Sequence, residues 1–271
     1  MLESVVTRRL SFSLTTTAVS FDLLSGNAWV TWGLIAVCSF VFLYEASMTP
    51  DERARLIVGL GLIPASVTGA GQLEPELVLV PPFATLVTAA FLHGGWMHLI
   101  ANMLYLWVFG DNVEDAMGHW RFLAFYLICG LIAGLAHIAA DPGSTMPTLG
   151  ASGAISGILG AYLILHPKAR VLVPIIVIPL YLPAWVLLFI WIGFQVVSAA
   201  TSGPVGGGIA WWEHIGGFVA GALLVVPFRH KTVPLFEGGK LPDGIRLRPG
   251  GPRRDTDHRD DKGGPKDGPW G

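Results

Sequence analysis

The sequence predicts an all-α, polytopic membrane protein whose chain crosses the bilayer six times. Three observations carry this reading. Of the 271 residues, 52% are hydrophobic and only 13% are charged, with a mean hydropathy of +0.59, whereas a soluble domain carries roughly a quarter charged residues. The apolar residues fall into runs near the ~20-residue length that a helix needs to cross hydrocarbon. The charges are segregated, since ten of the 17 Lys and Arg residues lie within residues 229–271.

Residues 1–27 are polar to mixed, with Arg8 and Arg9 and few acids. They fit an unstructured cytoplasmic start, with an organellar transit peptide as the alternative. No signal peptide is expected, because the first apolar run is full length and lacks a small-residue cleavage site. The spans are placed at about 28–46, 84–109, 122–140, 150–165, 184–200 and 209–228, so residues 28–228 form the membrane domain. Glycine and proline within spans are tolerable because neighbouring helices re-satisfy the backbone. Residues 48–83 form a long first loop, apolar enough at 60–64 and 77–82 to lie partly in the interface. Residues 171–183 are apolar but carry Pro174, Pro179 and Pro183. That spacing breaks a helix, so an extended entry at the membrane surface is expected. Residues 201–208, rich in glycine, suit a mobile cap. Residues 229–271, rich in Gly, Pro, Asp and Arg, read as a disordered cytoplasmic tail without a catalytic role.

Orientation follows from the basic residues. With the N-terminus inside, the inner segments hold Arg8, Arg9, Arg121, Lys168, Arg170 and the ten of the tail, and the outer segments only Arg53 and Arg55. Both termini are therefore placed in the cytoplasm, and the lipid bilayer is the expected surrounding. Cys38 and Cys129 each sit in an apolar run and read as packing residues. No cofactor, metal or nucleic-acid partner is expected: Glu213-His214 reverses the order of a zinc H-E-x-x-H motif and has no second histidine at i+4.

This orientation brings scattered polar residues to one depth. His93, His98 and Asn102 fall in the outer part of span two, Ser152 at the outer start of span four, and His214 one turn into span six. Ionisable groups within a bilayer are costly and usually functional. A serine hydroxyl becomes nucleophilic when a base lies within hydrogen-bond reach. Ser152 is the candidate nucleophile and His214 its base. Taken singly, each has a plainer reading, Ser152 as a small packing residue and His214 as an interfacial histidine beside Trp211 and Trp212. The glycines favour the pairing. Gly153 and Gly157 make a small-xxx-small face on span four, and Gly217 and Gly221 a complementary one on span six. Glu213 lies about 100° around the helix from His214, and no other acid is evident at this depth. A Ser–His dyad is therefore expected rather than a triad. His98 and Asn102, spaced i,i+4, share a face and can donate with the Ser152 amide to an oxyanion. For His93, structural support and a site role both stand open. Gly150 shapes the turn presenting Ser152. The stretch is not a G-x-S-x-G elbow, because residue 154 is alanine.

These residues resemble the rhomboid family of intramembrane serine proteases over about residues 80–228. The resemblance rests on His93-Gly-Gly-Trp-Met-His98-Leu-Ile-Ala-Asn102, Gly110-Asp-Asn-Val-Glu114, Gly150-Ala-Ser-Gly153 and His214-Ile-Gly-Gly217-Phe-Val-Ala-Gly221. It implies a six-transmembrane-helix rhomboid-like bundle that cleaves peptide bonds in or near transmembrane segments of membrane-protein substrates. Ser152 would be the nucleophile, His214 the base and acid, and His98, Asn102 and the Ser152 amide the oxyanion donors. Glu114, with His93 and Gly150, would give structural support. Preference for small residues at the cut and helix-destabilising residues nearby is also implied. The alternative is an inactive rhomboid-like protein that holds transmembrane clients without cutting them. A bacterial cytoplasmic membrane, with the site toward the outer face, is the expected location. Two departures stand out. The Trp-Arg pair that some members carry in the first outer loop is missing. Ser156 stands where some members place an aromatic against the catalytic histidine.

Overall fold

The computed structural model describes residues 28–175, 178–202 and 209–236. By its contacts the chain divides into Met1–Gly239 and Lys240–Gly271. The second unit lies outside the described residues, as do residues 1–27, most of the glycine-rich cap at 203–208, and the tail beyond 236.

In chain order the helices are α1 (Trp29–Ser47), the first-loop helices α2 (Pro50–Leu60), α3 (Pro64–Thr68) and α4 (Thr85–Thr88), then α5 (Trp96–Met117), α6 (His119–Ala140), α7 (Ser152–Leu165), α8 (Ala184–Ser202) and α9 (Trp211–Phe228). Each predicted span holds one of the six longer apolar helices. Helices satisfy their own backbone groups, which is what a membrane interior demands. α1, α6, α8 and α9 are each long and apolar enough to cross a membrane alone. α5 joins the 75–91 stretch at an 80° bend. α7 has only 14 residues. At 1.5 Å per residue it covers about 21 Å, less than the ~30 Å hydrocarbon core, and its first residue, Ser152, is half-buried.

α7 is the central element. Ile158, Ala161 and Leu165 are fully buried, and it packs on α5, α6 and α9. Its closest partner is α9. A Cβ on Gly217 would collide with the Gly153 carbonyl, and one on Gly221 with the Gly157 carbonyl. The two glycine faces therefore do meet, with the α9 glycines seated on the carbonyls of α7. The Gly153 Cβ position is filled by Ala133 of α6 and Glu213 of α9, and the Gly157 position by Cys129 of α6.

Three expectations need correction. Span two does not run as one helix from 84. Extended backbone at Gly95 (φ 173°, ψ 173°) separates the short α4 turns from α5. The adjacent Gly94 and Gly95 allow the 80° bend, and His93 lies before the helix rather than in it. α5 also continues to Met117, past 109, and stops at Gly118 with φ +79°. Second, the 171–183 stretch is extended as expected but also paired: β1 (Arg170–Ile175) and β2 (Ile178–Pro183) form an antiparallel hairpin with Pro174 opposite Pro179. Third, order continues past 228. The His230 amide donates to Ala116 O (2.8 Å) and the Phe236 amide to Ile164 O (2.8 Å), while Val233 and Leu235 pack on the core. These backbone hydrogen bonds and the packing of Val233 and Leu235 hold residues 229–236 against the ends of α5 and α7.

Candidate active site

The chain reaches Ser152 along an extended strip. Leu62 and Thr148 pair as an isolated β-bridge, with Leu62 N to Thr148 O at 2.9 Å and Thr148 N to Leu62 O at 2.8 Å. Gly150 N then donates to Ala89 O at 2.9 Å. Gly150 has φ +126°, a conformation L residues rarely adopt. A Cβ there would also lie 2.7 Å from His98 Nε2 and 3.6 Å from Asn102 Nδ2. Glycine is thus required twice, once by the turn and once by the side chains of α5 pressed against it. Two residues later α7 starts, and the Ser152 amide is among the first-turn N–H groups that lack an intrahelical partner.

Ser152 Oγ lies 2.9 Å from His214 Nε2. The pair is 62 positions apart in sequence and is held by the glycine contact of α7 with α9. His98 and Asn102 stand on the other side of Gly150. The Gly94 amide donates to His98 Nδ1 at 3.3 Å, which leaves the ring proton of the neutral form on Nε2, the atom facing Gly150. Asn102 is buried, and its Nδ2 has no hydrogen-bond partner among the described residues. A buried amide donor normally finds a partner. Both α5 side chains thus offer donor groups beside the turn that presents Ser152.

His93 has a different place. Its amide donates to Glu45 Oε1 (3.2 Å), and its carbonyl accepts from Arg53 Nη2 (3.0 Å). Glu45 is wholly buried, Arg53 Nε stands 3.8 Å from its Oε2, and the guanidinium lies over the Phe42 ring at 5.9 Å. His93 therefore ties α1, the start of α2 and the entry to α5 together. Arg53 on α2 anchors the first loop, which lacks a Trp-Arg pair. Glu114 sits at the far end of α5. It accepts from Val30 N (3.1 Å), Thr31 N (2.8 Å) and Thr31 Oγ1 (2.7 Å), and pairs with His119 Nδ1 at 2.6 Å. It joins the starts of α1 and α6.

The side chains around His214 are the part that sequence reasoning missed. The Ser156 hydroxyl donates to its own helix at Ser152 O (2.6 Å). Aromatic cover comes instead from Trp191 on α8, 5.9 Å centroid to centroid, and from Trp211 on α9, 6.5 Å and edge-on. His214 Nδ1 lies 2.8 Å from the side-chain oxygen of Gln195, also on α8. Glu213 faces elsewhere: a Cβ on Gly153 would lie 2.8 Å from its Oε1. One signal in the sequence pointed to Gln195, which is the only polar residue of α8 apart from hydroxyl side chains near its end. Among the described residues no group of three or more His, Cys, Asp or Glu side chains is arranged to hold a metal.

Comparison with known proteins places this arrangement. Residues 82–231 match the model of the Rhomboid domain. The chain is 36% identical over 163 residues to Rhomboid protease GluP of Bacillus subtilis (strain 168), covering 58% of this chain and 29% of that protein. It is 33% identical over 164 residues to RHOMBOID-like protein 5 of Arabidopsis thaliana, covering 57% and 47%. Over 143 residues it is 30% identical to Rhomboid protein 1, mitochondrial, of Saccharomyces cerevisiae (strain ATCC 204508 / S288c), covering 51% and 40%. The matched part thus spans less than half the length of each of these curated relatives. With a family match over more than half its length, set on a helical membrane bundle, the chain belongs to the rhomboid family.

Proposed function

We propose that the protein is an intramembrane serine endopeptidase that cleaves peptide bonds in or near transmembrane segments of other membrane proteins. The observation that carries this reading is the 2.9 Å contact between Ser152 Oγ and His214 Nε2 at the start of a helix too short to span the core. His214 Nε2 takes the Ser152 proton as Oγ attacks the scissile carbonyl carbon. The carbonyl oxygen becomes an oxyanion that accepts from His98 Nε2–H, Asn102 Nδ2–H and the Ser152 amide. As the intermediate collapses, the C–N bond breaks and His214 returns the proton to the leaving amine. Water then attacks the Ser152 ester with His214 again as base. The substrates are transmembrane proteins; with both termini cytoplasmic, the site faces the outer side of the membrane.

The test is to incubate the detergent-solubilised protein with a reporter carrying a single transmembrane segment with small and helix-destabilising residues. Ser152→Ala and His214→Ala are run in parallel. Cleavage by the wild type that disappears in both variants is expected. Cleavage that survives Ser152→Ala sinks the mechanism, and a wild type that binds the reporter without cutting it favours a client-holding role.

A further inference from the structure

The dyad leaves one chemical requirement unmet. Neutral imidazole carries a single N–H, and the partner on one ring nitrogen decides which nitrogen holds it. To act as base toward Ser152, His214 must present a bare Nε2. Something must therefore hold the proton on Nδ1. Neither Glu213, which faces Gly153, nor Ser156, which bonds to its own helix, does so.

We infer that Gln195 is the positioning residue that does it, so that α8 belongs to the catalytic unit as well as α7 and α9. This rests on the serine-protease reading proposed above. The Gln195 side-chain oxygen lies 2.8 Å from His214 Nδ1, and Nε2, across the ring, lies 2.9 Å from Ser152 Oγ. With the amide oxygen toward the ring, Nδ1–H donates and Nε2 accepts, which is the tautomer the reaction needs. With the amide turned over, its NH₂ would donate to Nδ1 and the ring proton would sit on Nε2, facing Ser152 as a donor. The orientation of one amide thus separates a competent base from an incompetent one.

The packing explains why the pair meets. Trp191 and Gln195 are spaced i,i+4 and share one face of α8, as His214 and Phe218 share one face of α9. The faces interdigitate: Trp191 lies 5.9 Å from the His214 ring and 6.0 Å from the Phe218 ring, and Gln195 caps Nδ1. Gln195 is only 5% exposed. The amide oxygen supplies the acceptor that Nδ1–H needs without placing a net charge in the bundle. When His214 takes up the Ser152 proton, the same oxygen dipole points at the imidazolium. Because the acceptor comes from a different helix than the ring it holds, the base is set only while α8 is seated on α9.

The experiment compares wild type, Gln195→Leu and Gln195→Glu, with Ser152→Ala as the blank. All are full-length in detergent, and kcat and KM are measured separately on the reporter above. Leucine keeps similar bulk without an acceptor. Glutamate keeps an acceptor in either orientation. General base catalysis contributes ~10²–10⁴-fold, and losing its orientation removes part of that, so Gln195→Leu is expected to lower kcat about 10- to 100-fold with KM within about twofold. Gln195→Glu should recover at least about a third of the wild-type kcat. A Gln195→Leu kcat within twofold of wild type overturns the inference. So does an equal loss in both variants, which would mean that the amide matters for packing alone. If Ser152→Ala itself cleaves, the failure lies with the protease reading and not with Gln195.

Discussion

The two ends of the bundle use buried polar groups in opposite ways. At one end, Glu114 is wholly buried, and four contacts from α1 and His119 take up its carboxylate oxygens. At the other, Asn102 is buried with a donor left unpartnered among the described residues, and Ser152 stands half-buried against His214. A polar group buried and satisfied stabilises a fold, while one buried and left open is costly unless it has a ligand to meet. The sequence reading already set Glu114 apart as support from Ser152 and Asn102 as site candidates, and the hydrogen-bond partners of Glu114 and the open donor of Asn102 agree with that division.

Breaking the comparison at the site end should cost activity and leave the fold intact. Ser152→Ala removes a hydroxyl that contributes nothing to the glycine contacts of α7 with α9. We predict that cleavage falls at least about 10³-fold, on the scale of losing a catalytic nucleophile. Its thermal unfolding midpoint in detergent should match wild type. A midpoint drop comparable to the Glu114 variant below would show that Ser152 belongs to the structural class after all.

At the opposite end the balance should reverse. Glu114→Ala strands the amides of Val30 and Thr31, the Thr31 hydroxyl and His119. Removing one partner from such a buried network costs about 3 kcal/mol, so a clear fall in unfolding midpoint is expected. Activity per folded molecule, measured below the transition, should stay within a few-fold of wild type. Unchanged stability would contradict the structural assignment.

Asn102→Ala tests the site end more finely. Its free donor points to a role that arises only when a substrate oxyanion forms. Loss of one oxyanion donor typically lowers kcat by about 10²–10³-fold. The lower part of that range is expected here, because His98 and the Ser152 amide remain. KM should change little, and stability should hold or rise, since an unsatisfied buried group has been removed. A KM effect without a kcat effect would place Asn102 in ground-state binding instead.

Much of this was legible in the sequence, and the exceptions have physical reasons. Apolar run lengths marked the helices, and the i,i+4 spacing of His98 with Asn102 and the paired glycines pointed to the candidate site. Those patterns are local to one helix or repeat on two. The Gly94-Gly95 pair was visible too, but hydrophobicity carried across it and hid the bend before α5. Gln195 was not legible as a partner of His214. Which face of α8 meets α9 depends on side-chain packing of Trp191 against Phe218, and no periodicity encodes the rotation of one helix against another. Glu114 was named as structural support, but its partners were opaque, because the main ones are backbone amides at the start of α1, more than eighty positions away.

The smallest effect should come from a second acid, Glu52, which sharpens the contrast by being exposed. It closes a capping box at the start of α2: Thr49 N and Oγ1 donate to Glu52 Oε2 at 2.9 and 2.7 Å, and Glu52 N donates back to Thr49 Oγ1 at 3.4 Å. These hydrogen bonds, the Thr49 hydroxyl first, hold its carboxyl below the ordinary glutamate value of 4.5. A depressed folded-state value contributes stability that is present above the unfolded value and is lost as pH falls through the folded one. The Glu52→Gln variant should therefore unfold slightly below wild type near neutral pH, and the gap should close as pH falls through the folded-state value, below the ordinary 4.5. Water and salt screen an exposed group, so the gap should also be far smaller than for Glu114→Ala. A gap that persists undiminished in acid would mean that the box stabilises α2 through geometry rather than charge. A gap as large as that of Glu114→Ala would remove burial as the reason the two acids differ.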